Sequence, residues 1–163
     1  MALPVVNTIQ HSEDLIKLKL RGEFDGVNNK NELSVPDLQK GERVETYQTN
    51  HAKGALIVHY DGSSFTPVAD VAFHADRTQR FVVLVQIKVA EGAVYKNAVI
   101  ERVMKALAGV QFHTLLNTGR RDRIGIVSDE YLSPEENLRK DAYEFLEHVV
   151  VVNVPTEFRE DQT

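Results

Sequence analysis

The 163-residue sequence contains no cysteine and no apolar run long enough to cross a membrane. Without cysteine, disulfides, thiolate metal sites and cysteine nucleophiles are excluded. A membrane-spanning helix needs about 20 apolar residues, and every apolar run here is much shorter. The first ten residues, MALPVVNTIQ, lack the basic start and the long apolar segment of a secretory signal. We therefore expect a protein that has no membrane partner and stays in the cytoplasm or in a particle assembled there.

An excess of basic residues is also missing, since the formal net charge is −5. A dedicated nucleic-acid-binding protein normally carries a basic face, so this charge argues against that class. The charge is compatible with a local basic patch. It also suits an acidic channel through which DNA slides, because like charges weaken phosphate contacts.

The short motifs of the common catalytic and cofactor sites are missing as well. The sequence has no HExxH, no P-loop, no glycine-rich dinucleotide fingerprint and no GxSxG elbow. The histidines, among them His59, His74, His113 and His148, have no metal-ligand spacing. We predict no catalytic residue, no cofactor and no bound metal.

The strongest positive signal is the stretch Gln79–Ala90, QRFVVLVQIKVA. It is apolar on both faces of a strand for most of its length, which is typical of a central strand. Ala93–Ala108 has apolar residues at helical spacing, and Gly109 stands where a helix stop belongs. The predicted buried face of this helix consists of Val94, Ala98, Ile100, Val103, Met104 and Leu107. A core strand is thus followed, across a Glu91–Gly92 turn, by an amphipathic helix.

The N-terminal half predicts one further helix and a second strand. The helix covers Thr8–Arg21 and stops at Gly22, although a start at Ser12 stays open. The strand covers Gly54–Tyr60 and ends at the turn residues Asp61–Ser63. The remaining segments of this half are predicted as two loops, Gly26–Gly41 and Ser64–Arg77, and one short strand, Arg43–Gln48.

The C-terminal half predicts strands over Ile124–Leu132 and Ala142–Val154, with Pro155 ending the second one. Leu138–Glu147 also fits a helix. The polar segment 117–123 is predicted as a turn, and the segment 133–137 either caps a short helix or forms a turn.

This order of elements predicts a two-layer α+β domain, in which a mixed, mainly antiparallel β-sheet carries two helices on one face. Chain length favours a single domain, which we place over residues 1–155. Residues Thr156–Thr163 are predicted to be a loose acidic tail.

Gln86 and Lys88 allow one enzymatic hypothesis, a small metal-dependent nuclease of the PD-(D/E)xK type. In such nucleases acidic residues hold Mg²⁺, and a lysine on the same strand face activates water or steadies the phosphate. Asp61 or Asp70 could supply one carboxylate. Gln86 stands in place of the second acid, so one metal ligand loses its charge. The alternative is that Gln86 and Lys88 mark where the strand leaves the core and reaches water.

Two charged segments are candidate interfaces. Arg120, Arg121 and Arg123 lie in a polar turn, where arginine suits interfacial ion pairs and phosphate is the alternative ligand. Asp122 and the negative net charge favour protein contact. The second segment is either a solvated acidic rim or the face that meets a neighbour's basic loop in an oligomer. Its residues are Asp129, Glu130, Glu135, Glu136 and Asp141.

The order and spacing of these segments resemble the tail terminator, or tail completion, proteins of long-tailed bacteriophages, including Mu-like and lambda-like phages. The resemblance covers nearly the whole chain. After an N-terminal helix, a loop and a strand near Val44–Tyr47, it runs through GALIVHYDG, FVVLVQIKV, a helix ending at Gly109, and IGIVSDEYLSPEENLRKDAYEFLEHVVVVNV.

The resemblance implies a structural virion protein without enzymatic activity. Six copies would form a ring on the last ring of tail-tube subunits, stop tube growth, and join the tail to the neck or head-completion protein. In a contractile tail the ring would also meet the sheath protein. DNA would pass through the lumen without specific binding. The implied location is the head-proximal end of the tail, after assembly in the host cytoplasm.

Overall fold

The structure is a computed structural model that describes residues 8–26, 32–38, 53–67, 74–115, 121–132 and 145–159. Within these ranges the elements, in chain order, are α1 (Ile9–Phe24), β1 (Gly54–Pro67), β2 (His74–Lys88), a 3₁₀ turn (Val89–Glu91), α2 (Gly92–Leu107), β3 (Gln111–Leu115), β4 (Arg121–Arg123), β5 (Gly125–Leu132) and β6 (Phe145–Arg159). Neither helix of the described part is long and apolar enough to span a membrane.

Four strands form one antiparallel sheet in the order β1-β2-β6-β5. The predicted α+β class is therefore confirmed. All predicted strands that the structure describes join this one sheet, and two further strands were not predicted. β3 and β4 pair with each other in a separate two-stranded sheet, where the sequence predicted only a polar turn before β5.

Both helices cover the same face of the four-stranded sheet. The main hydrophobic cluster joins Leu20 of α1 and Val103 of α2 to Leu56, Val83 and Val150 of three different strands, and all five are fully buried. The opposite face buries a smaller cluster, which consists of Ala55, Ile57 and Leu84 with Leu38, Leu132 and Val149 packed against it. Because side chains of a strand alternate between faces, β2 supplies both clusters, which explains its continuous apolar run.

Helix α1 begins as predicted, since the Thr8 side chain accepts a hydrogen bond from the backbone N–H of His11 at 3.1 Å. The predicted stop at Gly22 is wrong, because the helix continues to Phe24. Phe24 is fully buried. Burying a phenylalanine stabilises a fold by about 1.5–3 kcal/mol, whereas a glycine inside a helix costs about 1 kcal/mol. Burial of the Phe24 ring therefore stabilises the helix beyond Gly22.

Helix α2 begins one residue before the predicted start and ends one residue before the predicted end, and Gly109 follows it with a φ of +74°. The predicted buried face is partly wrong. Val94 is 85% exposed and Ala98 is exposed, while Val99 is fully buried. Of the other four predicted positions, Ile100, Val103 and Leu107 are buried and Met104 is partly buried.

Strand β1 does not end at Asp61–Ser63, so the predicted turn is wrong, and so is most of the predicted loop Ser64–Arg77. The pairing with β2 passes from Tyr60 opposite Phe81 to Gly62 opposite Arg80, which makes Asp61 the extra residue of a β-bulge. Gly62 adopts a φ of +114°, which an L-residue with a side chain rarely tolerates. The turn-like residues therefore build a bulge, and β1 continues to Pro67.

Strand β6 continues through Pro155 to Arg159, so neither the predicted end at Pro155 nor a loose tail from Thr156 is correct. Thr156 is 1% exposed, and its Oγ1 donates a hydrogen bond to the backbone oxygen of Arg77 at 3.2 Å. Proline lacks a backbone N–H and is tolerated where a strand has one open side. The pairing of β5 with β6 ends at Asn153, so within the described part of the chain that side is open at Pro155.

Some predictions fall outside the described residues, namely the strand Arg43–Gln48 and the turn 133–137. Within the predicted loop Gly26–Gly41, residues 32–38 are described. Leu33 and Val35 are buried there, and Ser34 forms a parallel bridge with Ala55 at the outer edge of β1. Part of this loop therefore belongs to the core.

Candidate functional site

The predicted interface residues lie on β4 and β5 where the structure describes them. Arg121 and Arg123 are the two ends of β4, and Arg123 is exposed. Asp129 and Glu130 lie on β5, which is an edge strand of the four-stranded sheet, and both are exposed. The other predicted interface residues lie outside the described ranges: Arg120, Glu135 and Glu136.

Four exposed side chains lie along β5, and we call them the β5 edge: Val127, Asp129, Glu130 and Tyr131. By their pairing with β6, Asp129 and Tyr131 point to the helix-covered side of the sheet and Glu130 points to the opposite side. Val127 is 47% and Tyr131 is 57% exposed. The pairing with β6 shifts between Ile126 and Ser128, so that Val127 is a bulge residue. The sheet order gives β5 a strand partner on one side only within the described part of the chain. Such an edge can accept contacts from another chain.

Contacts within the molecule hold most of the β5 edge in place. Asp129 Oδ1 lies 2.7 Å from His148 Nε2, and the His148 side chain is only 12% exposed. The Lys96 ammonium lies 5.2 Å from the centroid of the Tyr131 ring. The Glu130 carboxylate makes no such contact with the described residues. Among the described residues, Glu130 is therefore the acid of the β5 edge without an ion-pair partner.

A second surface lies on three strand segments that we call the arm: residues 62–67, 74–80 and 153–159. Along these strands the last members of the main cluster are Tyr60, Phe81 and Val154. Beyond them Phe65 is 47% and Phe158 is 36% exposed, and the two rings meet edge to face with centroids 5.8 Å apart. The arm thus presents an aromatic pair outside the core.

Arg77 organises the face of the arm that continues the helix-covered face of the sheet. Its Nε donates to Ser63 Oγ at 3.0 Å, its Nη2 donates to the Tyr60 hydroxyl at 3.3 Å, and its guanidinium lies 5.5 Å from the centroid of Phe65. The Tyr60 hydroxyl and Ser63 Oγ are 2.5 Å apart. Burial alone would raise the pKa of Tyr60, but the hydrogen bonds with Ser63 and Arg77 outweigh it and lower that pKa.

The bulge at Asp61 is what brings these side chains to one face. Tyr60 pairs with Phe81 before the bulge, whereas Ser63 and Phe65 pair with odd-numbered residues of β2 after it. Side chains opposite each other in a sheet share a face, so Tyr60, Ser63 and Phe65 all point to the same side. The arm was not predicted, because its residues in β1 were assigned to a turn and a loop.

A charged cluster joins the two helices. Arg102 of α2 donates from Nη1 to Glu32 Oε1 at 2.6 Å and from Nε to Glu23 Oε1 at 3.0 Å, and its guanidinium lies 4.3 Å from the centroid of the Phe24 ring. The Tyr95 hydroxyl donates to Glu32 at 2.8 Å. The hydrogen bond from Arg102 lowers the pKa of Glu32 against the opposing effect of burial, whereas burial and Glu32 raise the pKa of Tyr95. These groups satisfy one another, so the cluster is a structural link.

A groove of about 470 Å³ lies between α1 and the edge of β1 and is lined in part by Glu13, Lys17, Asp37 and His59. Lys17 Nζ lies 2.9 Å from Asp37 Oδ1 and 3.2 Å from Glu13 Oε2. Burial would lower the pKa of Lys17, but the contacts with Asp37 and Glu13 outweigh it and raise that pKa. The two acids therefore already hold a cation supplied by the protein.

The residues of the nuclease hypothesis are not assembled in the described part. Gln86 and Lys88 share a strand face as predicted, but Gln86 is fully buried, so it does not mark a point where the strand reaches water. Asp61 lies six residues from the partner of Gln86 on β1, which is about 20 Å along the strand. Its carboxylate instead contacts Arg80 at 3.0 Å. Asp70 lies outside the described residues, which contain no group of three candidate metal ligands.

Comparisons with known proteins agree with the phage-related resemblance at the level of fold and family. The chain matches no curated protein at a significant level. Among solved structures it is similar to a chain of the "Virion of native gene transfer agent (GTA) particle", with a TM-score of 0.51 and 14% sequence identity over 88% of this chain and 92% of that chain. At this identity the similarity concerns the fold. Residues 32–161 match the sequence family described as "Gp37 protein". Because this match spans most of its length, the chain belongs to the Gp37 family.

Proposed function

We propose that this protein is a structural virion protein that terminates a phage-type tail. The observation that carries the proposal is the shared fold with a chain of a gene transfer agent virion, which extends over almost the whole length of both chains. Membership of the Gp37 family and the resemblance of the segments to phage tail terminators support the same role. Its place would be the head-proximal end of the tail.

In this role six copies form a ring on the last ring of tail-tube subunits. The ring stops tube polymerisation and offers its other side to the neck or head-completion protein, and to the sheath protein if the tail contracts. A subunit that uses two different surfaces makes heterologous contacts, which close into a ring when the rotation fits. The β5 edge and the arm are two candidate surfaces on one sheet. DNA passes through the lumen without specific binding.

The charged segments divide between partners in this proposal. The arginines Arg120, Arg121 and Arg123 contact another virion protein away from the DNA path, because a guanidinium near DNA would bind phosphate. The acidic residues Asp129, Glu130, Glu135 and Glu136 face a neighbouring subunit. The protein then acts through its shape and its contacts with other virion subunits, and we propose no catalytic step.

The experiment that tests this function is imaging of assembled particles that carry a gold or antibody label on this protein. We expect one focus per tail, between the tube and the head, and tubes of uncontrolled length when the protein is omitted from assembly. Addition of the purified protein to growing tubes should arrest elongation. A label spread along the tube, or tubes of normal length without the protein, would contradict the proposal.

A further inference from the structure

We propose that the groove between α1 and the outer edge of β1 binds an extended segment of another protein, which carries lysine or arginine and adds as a strand beside Val58. We call this site the α1–β1 groove. Its volume is about 470 Å³, and Val58 and His59 line it on the strand side, opposite residues of α1 and next to Asp37 and Leu38. The inference goes beyond the proposed function, because it does not depend on a role in tail termination.

The open edge of β1 is the first argument. Ser34 runs parallel to the start of β1, where its N–H donates to the Gly54 oxygen at 3.2 Å and its oxygen accepts from the Leu56 N–H at 2.7 Å. The next bond of a parallel ladder would run from the N–H of residue 36 to the Leu56 oxygen. Residue 36 is a proline, which has no backbone N–H, so this bond cannot form. The parallel pairing therefore ends after Ser34.

Beyond Pro36 the chain leaves this edge, since Leu38 packs against the cluster on the opposite face of the sheet. Backbone groups of a strand point alternately to its two sides, so the oxygens of Leu56 and Val58 and the N–H groups of Val58 and Tyr60 face away from β2. No backbone group of the described residues bonds to them on that side. A strand that added beside Val58 would satisfy these groups, which is the basis of peptide recognition by strand addition.

The charge of the groove is the second argument, and it gives the chemistry of the partner. Three carboxylates and one ammonium line the groove: Glu13, Asp14, Asp37 and Lys17. Lys17 pairs with Glu13 and Asp37, and Arg21 also contacts Asp37. Asp14 is exposed, and within the described part of the chain its carboxylate contacts only the neutral amide of Gln10, at 2.8 Å. The groove thus keeps an exposed carboxylate without a cation, which favours a basic partner.

These two features together define the sequence pattern of the partner segment. A strand that pairs beside Val58 points every second side chain towards the helix-covered side of the sheet, where Asp14 lies on α1. The side chains between them point to the opposite side, where Ile57 and Leu38 form part of the smaller apolar cluster. The groove therefore fits an extended segment in which basic and apolar residues alternate.

A second copy of the chain and DNA are weaker candidates for the groove. The chain has a net charge of −5, so two copies repel each other on average. DNA is bound through cations that neutralise phosphates, and the unpaired carboxylate of Asp14 repels it. Both occupants are outcomes that the test detects, and either would overturn the inference.

The test uses a short fluorescent peptide in which valine alternates with lysine, and fluorescence anisotropy measures its binding to the purified full-length chain. The wild type should bind this peptide saturably, and a peptide with glutamate in place of lysine should not bind. Asp14→Lys should weaken binding about tenfold or more, because a cation then faces the peptide. Gln10→Lys adds a cation at another exposed residue of the groove and should act in the same direction. Glu101→Lys reverses an exposed acid on α2 and, as the matched control, should bind like the wild type.

Backbone pairing has two readouts of its own. The peptide is N-methylated either on its valines or on its lysines, which removes the N–H groups of one strand edge at a time. One of the two methylated peptides should lose binding about tenfold or more and the other should not, since one edge faces β1 and the other faces water. In hydrogen exchange, the unmethylated peptide should slow the Val58 amide about tenfold or more. The Ile57 amide points to β2 and should be protected without peptide. Thermal unfolding checks that each variant is folded.

Three results with the peptides would overturn the inference: no binding to the wild type at millimolar peptide, normal binding by both Asp14→Lys and Gln10→Lys, or equal effects of the two methylated peptides. So would self-association of the wild type that Asp14→Lys abolishes, or a DNA duplex that displaces the peptide. The proposed function fails separately. If the wild type binds the peptide as expected but does not arrest growing tubes, the groove stands and the terminator role falls. If tubes are arrested but no peptide binds, the role stands and the groove falls.

Discussion

Single glycines have opposite consequences in two elements of this fold. Gly62 adopts a φ of +114° in the bulge of β1, a conformation that favours glycine. Gly22 lies inside α1 with ordinary helical geometry, and a Cβ added there would meet no atom within 4 Å. Both residues were predicted to end their elements. The bulge favours glycine at position 62. In α1, a residue with a higher helix propensity could replace Gly22.

We expect Gly62→Ala to lower the free energy of unfolding by about 1–2 kcal/mol, because the side chain strains the backbone at positive φ. Gly22→Ala should raise the free energy of unfolding by about 0.5–1 kcal/mol through the entropy of the unfolded chain. Urea denaturation of both variants beside the wild type measures the two effects. Equal effects of the same sign would contradict this account of the bulge.

The link between Glu32 and Arg102 predicts a pH dependence of stability. The pKa of Glu32 is lowered by folding, mainly through the hydrogen bond from Arg102. Such a carboxylate stabilises the fold above its ordinary pKa of 4.5, and the contribution is lost as the pH falls through the lowered value. At about pH 7 we expect Glu32→Gln to be about 1–3 kcal/mol less stable than the wild type.

The difference in unfolding free energy between Glu32→Gln and the wild type should shrink as the pH is lowered below the ordinary pKa of Glu32. Denaturation in guanidinium chloride at several pH values would show this. Glu101→Gln on the exposed face of α2 is the control, with an expected effect within about 0.5 kcal/mol at every pH. A Glu32→Gln deficit that stays constant down to about pH 2 would argue against ionisation as its cause.

At the level of elements, the sequence predicted the segments whose signal is strong over many residues. The apolar runs of β2 and β6 and the helical period of α2 predicted the correct type of element over most of each segment. The arm was missed because Asp61, Gly62 and Pro67 belong to residue types that favour turns. Only pairing with β2 and β6 makes those residues a strand, and such long-range pairing leaves no local pattern. The β3–β4 pair is local, and it was missed because Arg121–Arg123 was assigned to a polar turn.

The buried face of α2 provides a test at this scale. Val99 is fully buried against the sheet, whereas Val94 is 85% exposed, although the sequence period favoured Val94. Val99→Asp should destabilise the protein by several kcal/mol, because it buries an unpaired charge. Val94→Asp should change stability by less than about 0.5 kcal/mol. Circular dichroism during thermal unfolding would compare the two, and similar losses in both variants would contradict the observed orientation of the helix.

At the scale of the whole molecule, function depends on surfaces, and the sequence pointed to only part of them. Glu130 was predicted from an acidic run, and the structure places it on an edge strand. Arg77, Phe65 and Phe158 were not predicted, since they are far apart in sequence and become neighbours only through the β1–β2–β6 register. A surface composed of single residues from three strands cannot be found from local composition.

The arginines of the β4 region give a prediction for the assembled particle. Replacing Arg120, Arg121 and Arg123 together by glutamate should abolish the joining of tails to heads, because their proposed partner is another virion protein. Counting of complete particles by electron microscopy measures the effect. Lys105→Glu, which reverses an exposed charge on α2, is the control and should leave the yield of complete particles unchanged. Normal joining by the triple variant would remove these residues from the interface.

The extra residue at position 61 also decides which side chains of β1 lie on each side of the arm. Alternate side chains of a strand point in opposite directions, so a slip that paired Asp61 with Arg80 would move every later side chain of β1 to the other side of the sheet. Deletion of Asp61 would instead keep Ser63 opposite Gln79 and Phe65 opposite Arg77 in a regular ladder. A chain shortened in this way would present the same arm without its bulge.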